Sequence, residues 1–166
     1  MIKKYIPIIF LIGLVMLLPS LQMDTSFDDN FIFHDLNELN SYDIYLAFQK
    51  QEVYPILFIS LDRWKYTVEW EEIKKFLERN DVDESWYIPE HHDCDDFAFQ
   101  LFGDIIKFNG DIAFGVLIIY KEECGHALNF FIDKNLSIWI VEPQSDAIYP
   151  IRRLIDGGWN FYCVIV

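Results

Sequence analysis

The sequence predicts an α+β domain, with helices first and an antiparallel sheet after them, on three observations. Segments between Tyr42 and Lys107 place apolar residues at helical spacing. From Ile112 onward the pattern changes to apolar runs separated by charged or Asn-containing turns, which is the sequence signature of strands. The chain has 166 residues, of which 52% are hydrophobic and 17% aromatic, enough for a single substantial core. Helices followed by a run of strands give helices packed on an antiparallel sheet of about four or five strands.

Taken in order, Met1–Met23 is set apart from the rest. Lys3 and Lys4 precede a nearly continuous apolar run from Tyr5 to Leu18, ending at Pro19-Ser20. A run of about 14 suits a signal peptide better than a bilayer span of about 20. With no small-x-small cleavage site after it, an uncleaved membrane anchor stays open. Either reading places the domain outside the cytoplasm, secreted or held at a membrane. Residues 24–41 are polar and acidic and read as a linker or loosely packed arm, leaving 42–166 as the domain.

Tyr42 to Lys50 is expected to form a short helix. Val53 to Leu61 has strand composition, weakened by Pro55. Thr67 to Asn80 is expected as a helix with an acidic first turn and Trp70, Ile73, Phe76 and Leu77 on one face. Val82 to Glu90 connects it to the next helix, which follows Pro89 and carries Phe97, Leu101 and Ile105 at four-residue intervals to about Lys107. Ile112 to Tyr120 is a continuous apolar strand, and Lys121 to Gly125 a charged loop. His126–Ile132 and Leu136–Glu142 form a hairpin about Asp133-Lys134-Asn135, with Asn135 suited to the left-handed position. Ile148 to Ile155 is a connection and Trp159 to Val166 a closing strand.

Composition excludes some functions. The net charge is −14, or −16 without Lys3 and Lys4, so the chain has no electrostatic footprint for nucleic acid. It suits a divalent cation or a cationic ligand instead. Three cysteines, Cys94, Cys124 and Cys163, do not make a disulfide framework, although Cys124 and Cys163 could pair outside the cell. The absence of CxxC argues against structural zinc.

Cys94 falls at the start of a helix, where free N–H groups and the helix dipole stabilise a thiolate. Alone, it reads more readily as a small buried hydrophobe. The hairpin adds to it. Centred on Lys134, it sets Ile132 opposite Leu136, Phe130 opposite Ile138, Leu128 opposite Ile140 and His126 opposite Glu142, all on one sheet face. If the Cys94 helix covers that face, thiol, imidazole and carboxylate meet as in a cysteine hydrolase. His126 would then be the base, Glu142 its orienting acid and the Cys94 N–H an oxyanion donor. A purely structural His126–Glu142 ion pair is the other reading.

Three segments carry a resemblance: Asp93-Cys94-Asp95-Asp96-Phe97-Ala98, Gly125-His126-Ala127-Leu128-Asn129 and Glu142-Pro143-Gln144. Together they resemble the papain-like cysteine protease domain at the C-terminus of the Marasmius oreades agglutinin, a fungal lectin, and of related bacterial and phage proteins. The resemblance runs from about Tyr54 to Ile151. It implies a papain-like or transglutaminase-like core, a Cys94–His126–Glu142 triad, an acyl-thioester, peptide or protein substrates and activation by calcium. It does not imply glycan recognition, since the agglutinin's lectin domain has no counterpart here.

Calcium also has a physical argument. Asp93, Asp95 and Asp96, with Glu90, offer hard oxygen ligands, and a cation would offset the repulsion they exert on a neighbouring thiolate. The same acids could simply cap the helix. Zinc on His91, His92 and Cys94 is disfavoured because adjacent residues chelate poorly together. Two alternatives accompany the peptidase reading. One is another thiol enzyme, an NlpC/P60- or CHAP-like peptidoglycan amidase or a transglutaminase-like acyl transferase. The other is a catalytically silent binding domain on the same fold.

Overall fold

In the computed structural model, residues 37–166 are described; the expected leader and most of the expected linker lie outside them. The strands and helices are β1 (Glu38–Asn40), α1 (Ser41–Lys50), β2 (Leu57–Ile59), β3 (Trp64–Tyr66), α2 (Trp70–Leu77), α3 (Cys94–Asn109), β4 (Phe114–Lys121), β5 (Cys124–Ile132), β6 (Ile138–Glu142), β7 (Ala147–Pro150), α4 (Arg152–Asp156) and β8 (Asn160–Ile165). A single 3₁₀ turn spans Val82–Glu84. Among the described residues, Asn40 accepts the N–H groups of Tyr42 and Asp43 and so caps α1. Among the described residues no helix is long and apolar enough to cross a membrane.

The main sheet has six strands in the order β2-β8-β4-β5-β6-β7, and β1 pairs with β3 in a separate ribbon. The expected antiparallel sheet of four or five strands is thus corrected to a larger mixed one. The closing strand β8 inserts between β2 and β4, parallel to the first and antiparallel to the second. Gly115 makes that insertion possible, since a Cβ there would collide with the Ile165 carbonyl and the Phe130 ring. β2 keeps three residues of the predicted Val53–Leu61 run, as Pro55 leads the chain into the sheet only at Leu57.

Both faces of the sheet are covered. Even-numbered residues of β5 and β6, including Leu128, Phe130, Ile132, Ile138 and Ile140, pack with Ile44, Ala47 and Phe48 of α1 and Leu154 of α4. Odd-numbered ones, including Ala127, Phe131 and Val141, pack with Ile73, Phe76 and Leu77 of α2 and with Phe97, Ala98, Leu101 and Ile105 of α3. The Cys94 helix therefore lies on the face opposite to the one expected. Near-continuous apolar strands are what a sheet buried on both sides requires.

The β5–β6 register is also corrected. Phe130 faces Ile140 and Ile132 faces Ile138, two residues away from the expected pairing. Asp133 causes the shift by holding a longer loop: its Oδ1 accepts the N–H of Asn135 at 2.8 Å and of Ser137 at 2.9 Å, and its Oδ2 accepts the Trp139 indole N–H at 2.9 Å. The left-handed residue is Leu136, at φ 61°, rather than Asn135. A shift of two preserves which residues share a face.

Candidate functional site

Pairing between β5 and β6 begins at Asn129–Val141, so β5 residues 124–128 extend past the last β6 rung while still bonded to β4. His126 lies on this extension and reaches diagonally to the end of β6, where its Nε2 meets Glu142 Oε2 at 2.8 Å. Both side chains are about one-fifth exposed. The structure thus joins these two predicted residues despite the shifted register, because a two-residue shift leaves them on one face. The ring of Trp159, from the connection before β8, stands 6.4 Å from the His126 ring. At the same end of the sheet, Glu142 Oε1 and Gln144 Nε2 are buried and have no hydrogen-bond partner among the described residues.

Cys94 is the first residue of α3 and half-buried beside the α3-side core. Burial raises its thiol pKa above the ordinary value, and the carboxylates of Asp93 and Asp95 raise it further. The backbone N–H groups of Ala127 and of Cys94 itself pull the other way without prevailing. Cys94 therefore approaches the strand through the main chain of Ala127, whereas His126 points with the opposite face. Among the described residues no hydrogen bond joins Cys94 to His126.

The acidic residues divide by role. Asp96 Oδ2 accepts the Asp93 N–H at 3.1 Å, and Asp93 Oδ2 accepts the Glu90 N–H at 3.1 Å, so both shape the entry to α3. Asp93 and Asp95 lie close together, and their mutual side-chain interaction lowers the pKa of Asp93 and raises that of Asp95. One ligand atom from each of Asp93, Cys94 and Asp95 lies within 4.8 Å of the others; Asp96 is outside this group. Two carboxylates match calcium in kind but supply few of the six to eight oxygens it takes, and a thiol is a poor calcium donor. His92 is committed elsewhere, its Nδ1 donating to the Trp86 carbonyl at 2.9 Å and its ring packing 4.6 Å from that of Phe97.

Two contributors escaped the sequence reading. Asn129, fully buried on the α3 side, donates to the carbonyls of Ala98 at 2.9 Å and Gly115 at 3.2 Å and so straps α3 to β4. The polar residue in an otherwise apolar strand was the visible signal. Trp159 comes from a connection whose course no periodicity fixes. Cys124 and Cys163 are both free thiols, so their suggested disulfide is not formed.

No family model and no curated protein matches the sequence. Among solved structures, the fold is similar to a chain described as the PSL1a–E64 complex, at TM-score 0.67 and 15% identity over 78% of this chain and 51% of that one. It is likewise similar to Polyporus squamosus lectin bound to the human-type influenza-binding epitope Neu5Aca2-6Galb1-4GlcNAc, at TM-score 0.64 and 16% identity over 78% and 49%. The chain thus has a fold relative in a fungal lectin, and it spans about half the length of the lectin chains it matches.

These findings correct the expected cysteine peptidase, together with the thiol-protease and catalytic-triad descriptions attached to it. The fold relatives are lectin chains, and the helix bearing Cys94 covers the sheet face away from His126 and Glu142. The leader on which the expectation of membrane attachment rests lies outside the described residues.

Proposed function

We propose that this chain is a catalytically silent binding domain that has kept a papain-like arrangement of helix and strands and uses the end of its sheet to hold a saccharide. The observation that carries this reading is the pair of buried, unpartnered atoms at the end of β6, Glu142 Oε1 and Gln144 Nε2. One accepts and the other donates. A buried polar atom without a partner costs about 1–3 kcal/mol, a penalty that a ligand with adjacent hydroxyl groups removes by satisfying both. His126 is held by Glu142 through Nε2, which leaves Nδ1 as the second ring nitrogen for a ligand. Trp159 offers an apolar ring beside it, and a few fixed polar groups next to an aromatic wall are what a small-molecule site needs. The glycan held by the Polyporus squamosus lectin agrees in ligand class.

The test is a glycan-array screen, with hits measured by calorimetry on wild type, Gln144→Leu and Cys94→Ala. Gln144→Leu should weaken binding at least about tenfold, the effect of losing one buried hydrogen bond, without lowering the melting temperature, because it also removes an unpartnered buried atom. Cys94→Ala should bind like wild type. Hydrolysis of a peptide that disappears in Cys94→Ala, or no saccharide binding anywhere on the array, would overturn the reading.

Calcium belongs to the same proposal as a weak ligand of Asp93 and Asp95, drawn by the two neighbouring carboxylates. With so few protein oxygens its Kd should lie on the order of 1 mM, at the weak end for calcium sites. Because the raised Asp95 pKa lets a proton compete, affinity should rise with pH. Asp95→Asn should abolish the calcium-dependent rise in melting temperature; an unchanged rise would place the ion elsewhere.

A further inference from the structure

One short segment brackets the candidate site. It leaves β7, runs through α4 and returns at Trp159 to enter β8, so it passes over β6, β5 and β4 on the α1 side of the sheet. Arg153, near its start, lies 4.9 Å from the ring of Tyr149 on β7. Trp159, at its end, lies 6.4 Å from the ring of His126 on β5. Glu142 is on β6, the strand between these two. Tyr149 shares its face, since it pairs with Ile140, two residues from Glu142. Such diagonal neighbours stand about 7–8 Å apart, within reach of long side chains.

The segment also closes on itself. The Gly157 N–H donates to the Arg153 carbonyl at 3.1 Å, and Lys121 Nζ donates to the Gly157 carbonyl at 2.9 Å. A Cβ on Gly157 would stand 3.1 Å from the Arg153 carbonyl oxygen and 3.2 Å from the Trp159 ring, so both residues meet at one turn. Contacts thus run from Arg153 through Tyr149, Glu142, His126 and Trp159 and back to Arg153. The circuit includes Glu142, whose Oε1 is one of the two buried atoms without a partner.

Arg153 has donors to spare. Its neighbour Arg152 bonds Asp156 at 2.9 Å and lies 3.9 Å from Glu52, whereas among the described residues no carboxylate pairs with Arg153. Stacking on Tyr149 orients the guanidinium plane and leaves its edge N–H groups for a planar oxyanion. Local charge agrees. In a chain of net charge −14, the charged residues from Pro143 to Val166 are Asp146, Arg152, Arg153 and Asp156, which balance. A negative group on a ligand therefore meets a cation here, not the acidic surface that the whole composition predicts.

We propose that Arg153 receives a carboxylate carried by the ligand, so that the saccharide of the preceding proposal is an acidic sugar. This rests on the saccharide reading and adds the charge of the ligand to it. A guanidinium holds a carboxylate through two parallel N–H donors, which fixes the orientation of the sugar as well as its sign.

The test measures oligomers of galacturonic acid and sialyllactose, each against its own methyl ester, by calorimetry on the full chain at pH 7. At least one acid should bind about tenfold tighter than its ester, the effect of a charge-assisted hydrogen bond. That preference should shrink as salt rises. Arg153→Gln should bring the acid down to the level of the ester, whereas Gln144→Leu should weaken acid and ester alike. Equal binding of acid and ester, an unaltered preference in Arg153→Gln, or saccharide binding confined to neutral sugars overturns the carboxylate inference and leaves the saccharide reading standing. No binding by any saccharide removes both.

Discussion

Single residues in this domain are tuned by burial more than by partners. Asp146, in the turn between β6 and β7, has its pKa raised to about 6, first by burial and then by the negative charge of Asp83. Its folded value lies above the unfolded value of about 3.9, so folding takes up a proton and stability falls as pH rises from about 4 through 6. Asp146→Asn should remove that fall. The substitution also tolerates the local φ of 55°. Urea unfolding should show the variant equal to wild type at pH 4 and about 1–2 kcal/mol more stable at pH 7, a figure reduced for solvent screening. An equal difference at both pH values would mean that the carboxyl group's charge is not the cause. Cys94 shows the same priority of burial over helix-end stabilisation: position at a helix start was legible in the sequence, but depth and neighbouring carboxylates decide the thiol's state.

At the scale of elements, Asn129 decides where α3 sits. Its amide is the one polar side chain within the apolar stretch of β5 from Ala127 to Ile132, and it bonds to carbonyls of both α3 and β4. Asn129→Ala should cost about 2–3 kcal/mol in urea unfolding, from two lost hydrogen bonds and a small cavity. A loss under 0.5 kcal/mol would show that apolar packing alone seats the helix. The strands and helices themselves were largely legible, because apolar periodicity fixes them: α3 was expected to about Lys107 and ends at Asn109. The hairpin register was not, since it depends on whether Asp133 turns inward to collect N–H groups from its own loop. Likewise, β1 and β3 have three residues each, too few for alternation to register.

For the whole molecule, the fold class was legible and the assignment of sheet faces was not. Alternation identifies which residues share a face but never which helix covers it. Two amphipathic groups, α1 with α4 and α2 with α3, compete for two apolar faces of one sheet. Choosing wrongly placed Cys94 above His126 and Glu142 and so suggested a triad. The structure retains the His126–Glu142 pair and brings Cys94 to the strand edge from the other side, where its N–H neighbour is Ala127. The result is an acidic domain whose sheet ends in the hydrogen-bonded His126–Glu142 pair.

The central claim, that this end of the sheet binds without catalysis, is tested most directly by the reactivity of Cys94. Iodoacetamide labelling across pH, with the modified cysteine mapped by mass spectrometry, reads the thiol's ionisation in place. The account predicts slow labelling at neutral pH and a titration above the free-thiol value of about 8.5. Rapid labelling of Cys94 well below pH 8 would reveal a stabilised thiolate and contradict it.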